Sequence, residues 1–219
     1  MKDTGPKPPI VGDDSAFRLP PPASPRGPLI VLSGPSGVGK TTVVDKLLEI
    51  TRLPVRRAVT ATTRRPRPGE IDGVHYHFWT ADGFREAIAH NRMLEHAEVH
   101  GKDFYGTPRD EVDPYRAAGT AVVLVIDVQG AGQVRLQYPN DHCSVFLYPP
   151  AFHDLEDRLR GRGEPDSSIR RRLETARGEL ARADEFDVRL ENADLFAAAT
   201  TLDALIRDQF SRRGACDAG

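Results

Sequence analysis

Residues 29–41 read LIVLSGPSGVGKT. Leu29-Ile30-Val31-Leu32 is a short apolar run rich in β-branched residues, and glycines follow at once, which predicts a buried strand. Gly34-Pro35-Ser36-Gly37-Val38-Gly39-Lys40-Thr41 fits the pattern GxxxxGK[ST], and TVVDKLLEI at 42–50 places apolar residues at helical spacing. Strand, glycine-rich loop and helix in this order are the context a phosphate-binding loop requires. Glycines let the backbone curl so that successive N–H groups face inward and cradle phosphate oxygens. The helix starting near Lys40 adds its positive N-terminal end. In that arrangement Lys40 reaches the β- and γ-phosphates and Thr41 offers its hydroxyl to Mg²⁺. A plain glycine-rich turn is the competing reading, and the strand and helix on either side weigh against it. The stretch implies a nucleoside triphosphate held by Gly34, Pro35, Ser36, Gly37, Val38, Gly39, Lys40, Thr41 and Thr42.

Outward from this loop, AVVLVI at 121–126 and CSVFLY at 143–148 read as two more fully buried strands. Helical spacing marks Leu155–Arg160, Ile169–Ala183 and Leu195–Phe210. Strands alternating with helices predict a parallel sheet with helices on both faces. The stretch from Gly73 to Phe104 breaks that rhythm, with alternating HYHFW and EHAEVH on either side of a helix, and reads as an inserted, partly antiparallel lobe. Residues 1–27 are proline-rich with little periodic apolar content and read as a disordered arm, with order beginning near Pro28. The start carries no apolar run behind its lysine, so no signal peptide is expected. AVVLVI is too short to span a bilayer.

The chain has 219 residues, and Lys+Arg 30 against Asp+Glu 32 leaves a formal net charge of −2. One domain is expected, without a global basic field, so nucleic-acid binding is disfavoured. Two cysteines, Cys143 and Cys216, fit a reduced compartment and are too few for a zinc site. The expected location is cytoplasmic.

Against that near-neutral background, residues 60–70 read TATTRRPRPGE, with Arg64, Arg65 and Arg67 fenced by Pro66 and Pro68. A guanidinium fork matches a phosphate dianion bidentately and keeps its charge. The prolines fix φ and reduce the entropy lost on ordering the loop. Tyr76, on an alternating strand just downstream, can offer its hydroxyl to the same oxygens. The competing reading, a solvated charge run, is weakened by the phosphate loop upstream. His75 and His77 alternate on one strand face, but no third metal ligand is apparent.

GPSGVGKTT, TATTRRPRPGEIDGVHYHF, EHAEVHG, YGTPRDEV, IDVQGAGQVR, RLRGRG and IRRRL, in that order from about Leu29 to Leu205, together resemble guanylate kinase. The segment TTRxPRxGExDGxxYxF is its most diagnostic piece. The resemblance implies an α/β, three-layer P-loop kinase fold. It would have a parallel central sheet, an inserted mixed-sheet GMP-binding lobe (about 60–108) and a short lid (about 161–172). The kinase-like domain would span 28–213, before a flexible tail at 214–219. The implied activity is transfer of the γ-phosphoryl group of ATP to GMP, giving ADP and GDP, with Mg²⁺ accompanying ATP.

The resemblance also implies roles for single residues. Thr60, Arg64, Arg67, Glu70 and Tyr76 match the GMP site; the two arginines and the tyrosine bind the acceptor phosphate, and Thr60 lies near the base. Arg65, at a variable position, faces solvent. Glu95 matches the glutamate that reads guanine through N1–H and the 2-amino group, neither of which adenine offers. Tyr105 and Thr107 match a second phosphate-binding tyrosine and a hydroxyl that contacts the base. Asp127 lies near GMP and the metal's waters, with a helix N-cap as its alternative reading. Arg162 and Arg172 match lid arginines, and Lys40, Arg64, Arg162 and Arg172 form the catalytic set.

Four departures stand out from the family pattern. Val125 replaces an acidic residue, the Lys102-Asp103 loop is one residue longer, and the lid with Pro165 is one shorter. The late strand VRLEN at 188–192 is interrupted by charge, as an edge strand with one wet face would be. Val125 and the longer loop keep two alternatives open: a paralogue of weak activity or different acceptor, and a non-catalytic interaction module. The intact Lys40-Thr41 argues against the second.

Overall fold

Leu29–Ser33 forms a strand, β1, with all five residues buried. In the computed structural model, which describes residues 26–99, 103–161 and 165–216, the chain continues through α1 (Lys40–Ile50), β2 (Val55–Arg57), β3 (Ala61–Thr62) and β4 (His77–Phe78). Next come α2 (Ala81–Ala89), β5 (Met93–Val99), β6 (Asp103–Pro108), α3 (Asp113–Ala117) and β7 (Ala121–Val125). The remainder is α4 (Val128–Gln137), β8 (Cys143–Tyr148), α5 (Phe152–Arg160), α6 (Asp166–Leu180), β9 (Val188–Glu191) and α7 (Leu195–Cys216). Most of the expected arm lies outside the described residues, as do Arg162 of the lid and Lys102 of the longer loop.

The main sheet is parallel throughout, in the order β2-β7-β1-β8-β9. Its central strand is β1, whose Ile30 sits level with Val123 on one side and Cys143 on the other. Side chains alternate between the two faces of a strand. Ile30 and Leu32 therefore join Val43 and Leu47 of α1, Leu155 of α5, Leu173 of α6 and Leu202 of α7. Leu29 and Val31 join Val128 and Val134 of α4 on the opposite face. Three layers result, with the apolar run of β1 covered on both sides as its composition requires. Among the described residues no helix is long and apolar enough to cross a membrane.

β9 lies at the sheet edge, with Leu190 buried and Arg189 and Glu191 exposed. The charges that interrupt VRLEN thus occupy the wet face of an edge strand. Several elements have no clear sequence signal, among them β2 and α4. β2 is a three-residue VRR, and α4 carries two glycines in its first half, which masks its helical period. The third late helix runs beyond the expected Phe210 to Cys216. α6 stops at Leu180, because residues 183–185 turn into a separate 3₁₀ segment.

The inserted lobe is a mixed four-stranded sheet in the order β4-β3-β6-β5. β3 and β4 are parallel, whereas β6 is antiparallel to both β3 and β5. Its small core gathers Ala61, Phe84, Ala87 and Met93, and Phe84 stacks on Phe104 at 5.5 Å. His75 falls in the turn before β4 rather than on a strand, where its Nδ1 accepts the Ile71 N–H at 3.1 Å. His77 instead faces Glu111 at 2.9 Å, so the two histidines have separate partners.

Two polar joints fix this lobe against the main sheet. α4 bonds the outer strand β5 through its glutamines. The Gln133 amide donates to the His96 carbonyl at 2.6 Å and accepts the His96 N–H at 3.1 Å, and Gln137 donates to the Leu94 carbonyl at 2.8 Å. Side chains thereby complete an edge that would otherwise need another strand. Glu111 makes the second joint, accepting from Arg56 at 2.6 Å and from the Val59 N–H at 3.1 Å while facing His77.

At the amino ends of the strands, the Arg116 side chain is fully buried. It donates to the Gly27 carbonyl at 2.8 Å and to Asp141 Oδ1 at 2.8 Å, and Arg213 of α7 donates to the same oxygen at 2.7 Å. Burial opposes ionisation of Asp141, but Arg213 and Arg116 hold its carboxyl below the usual range. Arg116→Met keeps the volume and removes these donors, leaving the Gly27 carbonyl unpaired. A loss of about 2–3 kcal/mol is expected, read as a lower urea midpoint at unchanged m-value.

Candidate active site

The phosphate loop leaves β1 through three glycines in the left-handed half of φ space, Gly34 at 141°, Gly37 at 87° and Gly39 at 99°. At Gly34 the requirement is double, since a Cβ there would also lie 2.1 Å from the Leu147 carbonyl oxygen. The loop is strapped from behind at one point. The Val38 carbonyl accepts from Arg158 of α5 at 2.8 Å and from the Asn192 amide at 2.7 Å, and Arg158 also donates to the Asn192 carbonyl at 3.0 Å. Lys40 folds back over the loop, its ammonium donating to the carbonyls of Gly34 at 2.6 Å and Pro35 at 3.2 Å. Burial lowers the Lys40 pKa, and Glu179 and Asp127 oppose that shift. Thr41 and Thr42 are exposed at the start of α1.

Across the cleft, the 60–70 loop holds its first arginine rigidly. Arg64 donates two bonds to Glu70, at 2.8 and 2.9 Å, and one to the Tyr105 hydroxyl at 3.2 Å. Glu70 also accepts the Arg67 N–H at 2.6 Å. The hydrogen bonds from Arg64 pull the Glu70 carboxyl down to about 2, so this pair stays ionised at any working pH. The Arg64 guanidinium lies 5.2 Å from the Tyr76 ring centre, and Tyr76 meets Tyr105 edge-on at 6.0 Å. Arg65 is exposed, as expected; Arg67 is exposed as well but borders the cleft. Glu70 stands behind Arg64 and orients it.

Glu95 is the most unusual carboxylate of the lobe, only 4% exposed. On the β5–β6 ladder it lies opposite Thr107, whose hydroxyl donates to Oε1 at 2.7 Å. Burial pushes the Glu95 carboxyl up to about 7, against the pull of that bond. Its other oxygen is walled by α4, where a Cβ at Gly130 would fall 2.5 Å from Oε2. Thr107 is itself buried behind Glu95, so it reaches the cleft only through that carboxylate. Asp127 caps α4, with Oδ1 accepting from the N–H groups of Gln129 and Gly130 at 2.9 and 2.8 Å. It is both the helix cap and a wall of the cleft.

These parts converge on one cleft beyond the carboxyl ends of β1 and β7, where open α/β sheets place their ligands. A cavity of about 350 Å³ has Lys40, Thr41, Thr60, Tyr76, Glu95 and Asp127 in its walls. It opens into a larger recess of about 1010 Å³ bordered by Arg64, Arg67 and Arg172. Val125 lines the inner cavity and packs against the main core, so no carboxylate stands at that position. Arg162 lies outside the described residues. Sequence reading passed over Arg158, Asn192, Gly130 and Glu179. Arg158 opens the RLRGRG segment and Asn192 closes VRLEN, but only their place beneath the loop shows what they bind. Gly130 likewise sits inside IDVQGAGQVR, whereas Glu179 lies in none of these segments.

Comparison with known proteins agrees with this geometry. The guanylate kinase family model matches residues 26–209. A guanylate kinase from Thermobifida fusca is 52% identical over 81% of this chain and 90% of its own. One from Nostoc sp. is 44% identical over 82% and 89%. The crystal structure of guanylate kinase from Anaplasma phagocytophilum superposes with a TM-score of 0.71 at 31% identity, covering 85% of this chain and 87% of that one. With family match, sequence relatives and fold in agreement over nearly all of the described residues, the chain belongs to the guanylate kinase family.

Proposed function

We propose that the protein transfers the γ-phosphoryl group of ATP to GMP. The observation that carries this reading is the facing of the Lys40 loop and the Arg64–Tyr76–Glu95 wall across one cleft. The acceptor phosphate has a second pKa near 6 and is already ionised at neutral pH, so no general base is needed. The obstacle is the approach of a dianion to a polyanion. Arg64 and Arg67 neutralise the acceptor, with Glu70 holding the first fork in place and Tyr76 and Tyr105 completing the phosphate pocket. Lys40 and the lid arginines Arg162 and Arg172 stabilise the charge that spreads over the transferring group. Closure over the cleft excludes water as a competing acceptor.

The residues present fit a magnesium ion bound with the nucleotide. The Thr41 hydroxyl and the Asp127 carboxylate are hard oxygen donors on the wall of one cavity, and a site with few protein ligands suits a cation that keeps waters and phosphate oxygens. When bound, that ion supplies neutralisation of phosphate charge. Base choice belongs to Glu95, whose carboxylate accepts two guanine donors, with Thr60 beside the base. Adenine would leave it desolvated and unpaired. Sites of this kind reject the wrong partner by about 10⁴-fold or more.

A phosphotransfer assay with ATP and each nucleoside monophosphate tests the reading, with GMP expected to be the preferred acceptor by a wide margin. Comparable kcat/KM for GMP and AMP would overturn it. Lys40→Ala should abolish turnover and leave the protein folded by circular dichroism.

Glu95→Gln gives a two-sided expectation. Folded Glu95 keeps its proton up to about pH 7, above its ordinary range. Its burial therefore costs stability that grows as pH rises from the unfolded value through the folded one. The neutral amide removes that cost. At about pH 8 the variant should be more stable by on the order of 2 kcal/mol, with the gain gone near pH 4. Its kcat/KM for GMP should meanwhile fall by roughly 10²-fold or more, while the Kd for ATP is unchanged.

A further inference from the structure

α6 carries Arg172, and seven residues later, about two turns further along the same face, it carries Glu179. The Glu179 carboxylate enters the phosphate loop, where Oε2 accepts the Ser36 N–H at 3.2 Å. Its charge, like that of Asp127, reaches the Lys40 ammonium through space, while the ammonium's own hydrogen bonds go to the Gly34 and Pro35 carbonyls. It borders both the inner cavity beside Lys40 and Thr41 and the outer recess beside Arg172. Burial raises its pKa against the pull of Lys40 and the Ser36 N–H, so water does not relieve its charge cheaply. A carboxylate that accepts from a loop N–H and balances the loop lysine performs, with one charge, the two services a bound phosphate performs. The two anions exclude each other, because Ser36 has one N–H to give and like charges at this range repel strongly in a half-dry cleft.

We propose that Glu179 is a positioning residue of the donor site, a stand-in for phosphate that keeps the loop and Lys40 in shape until a polyphosphate displaces it from Ser36. The proposal rests on reading residues 34–42 as the triphosphate site. It links filling of that loop to α6, since the displaced carboxylate and Arg172 ride on one rigid helix. Glu179 therefore trades donor affinity for an ordered empty site. Once polyphosphate arrives, it supplies the counter-charge that Lys40 otherwise takes from Glu179.

The test is calorimetric titration of wild type, Glu179→Gln, Glu179→Ala and Lys40→Ala with inorganic tripolyphosphate without metal, with ATP and with GMP. Glu179→Gln keeps the shape and an acceptor for Ser36 while removing the charge. It should bind tripolyphosphate and ATP about fivefold or more tightly than wild type, with a clearly smaller gain for GMP. Glu179→Ala should move in the same direction, and covers the case in which the amide variant does not fold. Unchanged or weaker tripolyphosphate binding in the folded variants overturns the proposal. Equal weakening for ATP and GMP would mark a merely structural carboxylate and overturns it as well. Lys40→Ala separates this failure from failure of the underlying reading. If the loop holds phosphate, that variant loses tripolyphosphate affinity whatever Glu179 does. If it binds like wild type, the loop reading fails and takes the proposal with it.

Discussion

The structure depends on one constraint, the tight curl that the backbone makes on leaving β1. Three glycines at positive φ turn the chain so that N–H groups point inward, and such a curl has no apolar interior of its own to hold it. It is held from outside instead. β1 sits at the centre of a parallel sheet with both faces covered, so the start of the loop is anchored in the most deeply buried strand. Arg158 and Asn192 then fix the far side by sharing the Val38 carbonyl. α5 and the residue after β9 thus meet at that oxygen.

The opposite wall obeys a different logic, in which charge is oriented before any ligand arrives. Arg64 is locked by Glu70, Tyr105 and the Arg65 carbonyl, so it meets an anion as an already oriented positive charge that loses little freedom. Glu95 is more expensive, since its carboxylate is almost fully buried with one hydroxyl partner. Two donors of a purine edge would offset that burial, and water in bulk cannot. An ionisable group kept where it is least comfortable is a frequent mark of a working site. The closeness of Gly130 to its free side leaves the carboxylate no room to turn away.

The lobe and the main sheet are joined by polar side chains and by Leu94 of β5, which is fully buried in the core beneath α4. Gln133 and Gln137 complete the β5 edge, and Glu111 gathers Arg56, His77 and the Val59 N–H at the other joint. Such polar joints fix the register of the lobe around that apolar contact. Val125 fits this division. It lies at the end of β7, packs toward the main core and shows one side to the cavity, while Asp127 two residues on carries the acidic function of that strand end.

The sequence by itself determined the class of fold and the identity of both walls. The β-branched run before GPSGVGKT, the later apolar runs and the helical periods between them encode a covered parallel sheet, because burial on both faces leaves a signal in every residue of a strand. The fenced arginines were legible because their chemistry is local and their spacing short, whereas the segments around Glu95 and Asp127 were legible through their resemblance to guanylate kinase. Tertiary structure alone decided which polar residues hold those walls in place. Arg158 lies 120 residues from the Val38 carbonyl it binds, and Glu179 lies 143 residues from the Ser36 N–H. No periodicity or spacing marks such pairs, since each residue reads alone as an ordinary charge on a helix. Likewise α4, faint in sequence because of its glycines, proved to be the element against which Glu95 is pressed. Local pattern reports what a segment buries, whereas the partner of a single buried polar group is chosen only when distant segments meet.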